Sequence, residues 1–150
     1  TMRLIETDNG IEAHRIEDNA NLTPQLMDWC NKTVPALAEI LQGAILKKRS
    51  PSCGIQSTPI FNQDGIEQST SSGLFAKMLA AHAIVLVDEE WLCDELQAKA
   101  FLLRCYLLKE LRDNNPNCVI AHYQTVFNLP TLTAHCWRNW LCDIQQPLPF

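Results

Sequence analysis

Residues 44–87 carry the pattern that most narrows the fold: a short apolar strand, a long polar excursion, an apolar helix and a second strand, in that order. Ala44-Ile45-Leu46 lies between Gly43 and the charged run Lys47-Lys48-Arg49, which predicts a strand buried on both faces. Ala83-Ile84-Val85-Leu86-Val87 is rich in β-branched residues and reads as its partner. Between them, Gly73 to His82 holds good helix formers behind the N-cap candidates Ser71 and Ser72. Strand, crossover helix and strand make a unit that is almost always right-handed, with both strands parallel in one sheet. Residues 49–72, rich in Ser, Pro, Gly, Gln and Asn with a turn at Asp64-Gly65, are expected to form a long surface loop. Loops of that length in compact domains tend to be functional.

The flanks extend this unit. Arg3-Leu4-Ile5 and Glu12 to Ile16 surround Asp8-Asn9-Gly10, a hairpin pattern. Thr23-Pro24 opens a helix, with Leu22 placed to staple against Met27. Met27, Cys30, Val34, Leu37, Ala38 and Leu41 then recur at helical spacing over about 24–42. Pro35 inside that stretch predicts a kink or two abutting helices. Beyond Asp88, Leu96, Ala100, Leu103, Leu107, Leu108 and Leu111 share one face of a long helix that ends near Asp113 to Pro116. Two more helices, broken at Pro130, and a tail with Pro147 and Pro149 complete the expectation. The fold predicted is α/β with a small, mainly parallel, Rossmann-like sheet and a helical C-terminal extension, divided as residues 1–113 and 114–150.

Composition removes several classes of function. A chain of 150 residues, 47% hydrophobic, buries on the order of 68–70% of its unfolded surface and forms one substantial core. With 12 basic against 17 acidic residues, a net charge of −5 gives no general attraction to a phosphate backbone, so general nucleic-acid binding is not expected. No apolar run reaches the length of a membrane span. The early acidic stretch Glu6-Thr7-Asp8 does not resemble a secretory leader. Seven cysteines, an odd number without a Cys-x-x-Cys pair, read as reduced thiols rather than a disulfide framework, a zinc ribbon or a local iron–sulfur site. The chain is expected to be cytoplasmic.

The chemistry concentrates where the first strand stops. Cys53 falls in a tight turn at the carboxyl end of a parallel strand, where open α/β sheets place their ligands. Lys47, Lys48 and Arg49 favour a thiolate if they point inward, Ser50 and Ser52 add hydroxyls, Pro51 stiffens the turn, and Gly54 lets backbone approach a bound group. The same pattern also suits a cysteine without a role beside a solvated basic cluster. Elsewhere the signals are weaker. His82, His122 and His135 have no ligand spacing, and His82 closes a helix. Asp88-Glu89-Glu90 either faces a site or opens an acidic helix start. Trp137 and Trp140, with Cys136 and Cys142, read as one face of a core or interface helix.

The run from Gly43 to Gly54 resembles the Leu-Lys-x-Arg-Ser-Pro-Ser-Cys-Gly signature of the 2-thiouracil desulfurase family. Gly73-Leu74-Phe75, then Asp88 through Asp94, Phe101 and Arg104, are similar to family members that continue into a helical domain. Asn21-Leu22-Thr23 sits where the family has its Asp-x-Thr helix entry. The resemblance covers roughly residues 3–112. It implies a three-layer α/β domain holding a 4Fe–4S cluster on three cysteines, whose unligated iron takes sulfur from a thiolated pyrimidine. By resemblance, Cys53 matches the last cluster ligand, which makes it the metal and cofactor residue, and Ser50 matches a serine implicated near the substrate, the catalytic candidate.

The other two ligands belong to Cys-Leu-Leu-Gly-like and Cys-Pro-Glu motifs, the latter also bringing a catalytic glutamate, and this chain carries neither. Cys30 lies on an apolar helix face suited to packing. One thiolate does not hold a cuboidal cluster, and an arrangement through Cys93 or Cys118 is the alternative ligand set. The expectation is a truncated or diverged relative that binds a small thiolated or anionic ligand around Lys47, Arg49, Ser50, Ser52, Cys53 and Gly54, without desulfurising on its own. The alternative is a non-catalytic interaction module. It would use a bare strand edge or the Trp137/Trp140 helix to form a homodimer or to complete a partner chain that supplies the missing N-terminal half and its cysteines.

Overall fold

The computed structural model describes residues 1–127 and 133–146. Pro130, Pro147 and Pro149 fall outside them. The chain opens with the expected hairpin, β1 (Met2–Thr7) against β2 (Gly10–Arg15), turned by Gly10 at φ +104°. Leu4 and Ala13, paired across it, are fully buried. Helix α1 (Thr23–Ile40) follows with Leu22 as its N-cap. The break considered at Pro35 does not occur, and α1 runs through it as one helix. Pro35 and Asn31, whose carbonyl loses its helical donor there, both lie on the solvent face, open to solvent.

Strand β3 (Gly43–Leu46) comes next, then β4 (Thr58–Phe61) and β5 (Glu67–Ser71). The last two correct the expectation of a long surface loop over 49–72. They form an antiparallel hairpin, and β4 lies parallel to β1 with Thr58, Pro59 and Ile60 buried. Ile60 is the reason the segment folds in, because it joins Leu4, Ala13 and Leu74 in one core cluster. Exposed β5 is polar throughout, which hides it from a reading by apolar alternation.

Helix α2 (Leu74–Ala81) and β6 (Val85–Asp88) complete the crossover, and β3 pairs with β6 in parallel, Gly43 opposite Val85 and Leu46 opposite Asp88. Two details differ from expectation. Gly73, not Ser71 or Ser72, is the N-cap of α2, with no side-chain cap, because the Ser72 hydroxyl accepts the Gln56 N–H instead. Strand β3 is not buried on both faces, since Ile45 is 50% exposed in a pair only two strands wide. The strands therefore form a four-stranded sheet in the order β2-β1-β4-β5 and the separate β3-β6 pair. Among the described residues the pairings β1/β4 and β3/β6 are parallel, and β1/β2 and β4/β5 antiparallel, a mixed arrangement rather than one mainly parallel sheet.

Alternation along β6 builds the three layers. Ile84 and Leu86 face α1 and α2, packing with Cys30, Val34, Ala76 and Leu79. Val85 and Val87 face the other way, toward α3 (Glu95–Asp113), α4 (Pro116–Phe127) and α5 (Ala134–Cys142), among Phe101, Leu107, Trp137 and Leu141. Each such side chain, fully buried, contributes about 1.5–3 kcal/mol. The helical extension thus shares its core with the strand that leads to the site. No helix among the described residues is long and apolar enough to cross a membrane.

Candidate functional site

Because β3 and β6 are parallel and in register from Gly43/Val85 to Leu46/Asp88, the chain leaves both at the same carboxyl edge. From β3 it enters a closed turn. The Ser50 carbonyl accepts the Gly54 N–H at 2.8 Å and the hydroxyl of fully buried Thr58 at 2.8 Å. The Ser52 carbonyl accepts the Phe75 and Ala76 N–H groups at 2.8 and 3.2 Å, which fastens the turn to the first residues of α2. The Ser50 and Ser52 hydroxyls lie 3.2 Å apart and bond to each other.

Left-handed backbone brackets this turn at Arg49 (φ +58°) and Gln56 (φ +50°). A non-glycine residue held there costs of order 1–3 kcal/mol and persists only when its surroundings impose it. Here the Ser57 hydroxyl holds the Arg49 N–H and the Ser72 hydroxyl holds the Gln56 N–H, each at 3.0 Å. Cys53 is half-buried, with Sγ 4.0 Å from the Lys47 carbonyl, and packs at the edge of the α1/α2 core.

The basic cluster is largely engaged by carboxylates. Lys48 donates from its backbone to Glu89 at 2.7 Å and from its ammonium to Glu90, and the Arg49 guanidinium lies 4.0 Å from Glu67. Hydrogen bonding to Glu90 raises the Lys48 pKa, while backbone N–H donors, its own first and then that of Lys48, lower the Glu89 pKa. Lys47 is exposed. Asp88 accepts the Glu90 N–H and starts a 3-10 turn over Glu89–Cys93, so the acidic run is a helix start, with Asp88 also facing a cleft.

That cleft, of about 290 Å³, begins where the chain leaves the turn, at Ile55 and Gln56. Leu86 and Asp88 of β6, Trp91 and the turn after α5 at Asp143 form other walls. Sequence reading singled out Asp88 but missed Gln56, Ser72, Thr58 and Asp143. Gln56, Ser72 and Thr58 sit in a polar stretch without periodicity, and Asp143 is brought in by packing of α5 alone.

The remaining candidates have other duties. Cys30 is fully buried, and burial raises its thiol pKa. Cys105 and Cys142 are half-buried, and each is pushed up to about 11 by burial. Cys93, Cys118 and Cys136 are exposed. Among the described residues no three His, Cys, Asp or Glu side chains gather to hold a metal ion. With Cys53 the one cysteine on the turn, this chain's donor set does not fit a 4Fe–4S cluster. His82 caps α2, its Nδ1 2.9 Å from the Met78 carbonyl. Trp137 is 2% exposed and packs edge-on against Trp140, so α5 spends its aromatic face inside the chain, and Cys136 does not share that face.

No curated protein and no solved structure matches this chain. A family model described as 2-thiouracil desulfurase matches residues 1–91, ending before α3 and short of Phe101 and Arg104. The matched span takes in both sheets, the Ser50–Gly54 turn, α2 and the Asp88 corner, and the chain belongs to the 2-thiouracil desulfurase family.

Proposed function

We propose that this family member binds a small, uncharged, thiolated ligand at the Ser50–Gly54 turn, in the reducing cytoplasm, and does not remove sulfur on its own. The observation that carries the reading is the half-buried Cys53 on the same closed turn as the Ser50 and Ser52 hydroxyls, at the carboxyl edge of a parallel strand pair. Cys53 meets the ligand's polarisable sulfur and Ser50 and Ser52 serve its polar atoms, while Gly54, expected to let a ligand approach, is buried and instead lets the turn close on Thr58. Lys47 and Arg49 stand at the exposed rim. An anion fits this surface less well, since Lys48 and Arg49 already face carboxylates and the adjoining cleft is lined by Asp88 and Asp143. One cysteine at the turn is short of the three anchoring sulfurs that a cuboidal cluster needs.

Titration of the purified chain with 2-thiouracil and with uracil tests this. The wild type is expected to favour the thiolated base by roughly tenfold, about 1.4 kcal/mol, and Cys53→Ser to lose that preference. Equal affinity for both bases, or an unchanged preference in Cys53→Ser, overturns the reading.

The open edge of β3 favours a second reading, a module that pairs with another chain. Among the described residues β3 has only β6 beside it, and Ile45 there is 50% exposed. A homodimer, or a partner bearing the missing cysteine motifs, would cover that edge. A solution mass fixed at one chain across a wide concentration range counts against the homodimer.

A further inference from the structure

The cleft beside the turn has one wall that lies outside the family match. After α5 the chain crosses the carboxyl end of β6 through Asp143, Ile144 and Gln145. Arg104 of α3 holds it there. The guanidinium, 3% exposed, donates through Nη1 to the carbonyls of Trp140 at 2.9 Å and Leu141 at 3.0 Å, and through Nη2 to that of Gln146. Its central carbon also lies 5.6 Å from the Trp140 ring centroid. Burying a cation without a carboxylate bonded to it is costly. What the molecule gains is a planar fork that grips the end of α5 and the turn after it at once.

The lining has a definite chemistry. Asp88 and Asp143 both line the cleft, and each accepts a neighbouring backbone N–H at Oδ1, from Glu90 at 3.0 Å and Gln145 at 3.1 Å. That fixes each carboxylate through Oδ1, and the charges of Lys48 and Arg104 act on Asp88 and Asp143 respectively. Ala76, Ile84 and Leu86 give an apolar floor, and among the described residues no Lys, Arg or His lines the cleft. Its volume of about 290 Å³ is at the low end for ligand pockets and holds one ring.

We propose that this cleft is a small-molecule site whose selectivity is set by the Asp143–Gln145 turn, with Arg104 as its positioning residue. It takes an uncharged or cationic single-ring ligand bearing N–H donors and rejects anions. The proposal stands on the cleft and does not need Cys53.

Amide spectra of the full chain, titrated with 2-thiouracil and with orotate, a pyrimidine carrying a carboxylate, test it. The neutral ring is expected to shift Gln56, Ser72 and Asp143–Gln145 and to bind at least roughly tenfold tighter than orotate. Asp143→Asn, an exposed position, should narrow that ratio by about fivefold. Arg104→Lys should narrow it too, and an equal loss of affinity for both ligands overturns the positioning role. An unchanged ratio in Asp143→Asn overturns the proposal. Shifts confined to residues 50–54 overturn it while leaving the turn as a binding site. Shifts in the cleft with none at 50–54 do the reverse, and no shift anywhere overturns both.

Discussion

The Gly73 N–H donates to the Gly54 carbonyl across 2.8 Å, joining the residue that opens α2 to the one that ends the Ser50–Gly54 turn. Neither position has room for a side chain. A Cβ on Gly73 would stand 2.3 Å from the Ser52 carbonyl carbon, and one on Gly54 would stand 2.3 Å from the Thr58 hydroxyl. The turn's shape is therefore set by backbone contact with the helix start rather than by its own residues alone.

Gly73→Ala follows directly. At this N-cap, with its extended backbone, glycine is already preferred over alanine, and the new methyl meets backbone that cannot swing away, so the turn must shift. Urea unfolding is expected to show a loss of about 1–3 kcal/mol, and thiol-reagent labelling of Cys53 to speed up as the turn loosens. A variant as stable as the wild type, with unchanged Cys53 labelling, would mean that the loop and helix are not packed this way.

What the sequence made legible follows from locality. The β3/β6 pair was readable because β-branched residues, flanking Gly43 and an apolar helix sit within one crossover. The turn was readable because Ser50 to Gly54 are contiguous. Thr58 was not, because its hydroxyl works on a carbonyl eight residues back while its neighbours look like loop. Nor was the role of Arg104, whose acceptors lie 36 to 42 residues further along and are backbone atoms that leave no mark in composition. The β4/β5 hairpin escaped because only Ile60 and its neighbours on one strand are buried, and the other strand is wholly polar.

Cys105 and Cys142 give the protein an alkaline weakness. Burial, the largest physical cause for both, moves each thiol from an ordinary value near 9.0 up to about 11, and the neighbouring Cys142 adds to the effect on Cys105. Unfolded, these thiols ionise near the ordinary value, so the stabilisation is complete below about pH 9 and is lost as pH rises toward about 11. Urea midpoints are expected to fall between about pH 8 and pH 10, below the range where Lys48 and Lys109 titrate. The double variant Cys105→Ala with Cys142→Ala should fall less over the same interval. An identical slope in both proteins would remove these thiols as the cause.

Arg104→Lys isolates geometry from charge. Lysine keeps the positive charge, but its ammonium is a single point that does not reach the carbonyls of Trp140 and Leu141 on one side and Gln146 on the other together. At least one hydrogen bond to a charged group is lost in a site only 3% exposed, which sets the expected loss at about 1.5–3 kcal/mol in urea unfolding. The damage should be local, with hydrogen exchange quickening at residues 140–146 while the β1/β2 hairpin, on another core cluster, keeps its protection. Uniform quickening across both clusters would instead make Arg104 a residue of global stability with no special hold on the wall of the cleft.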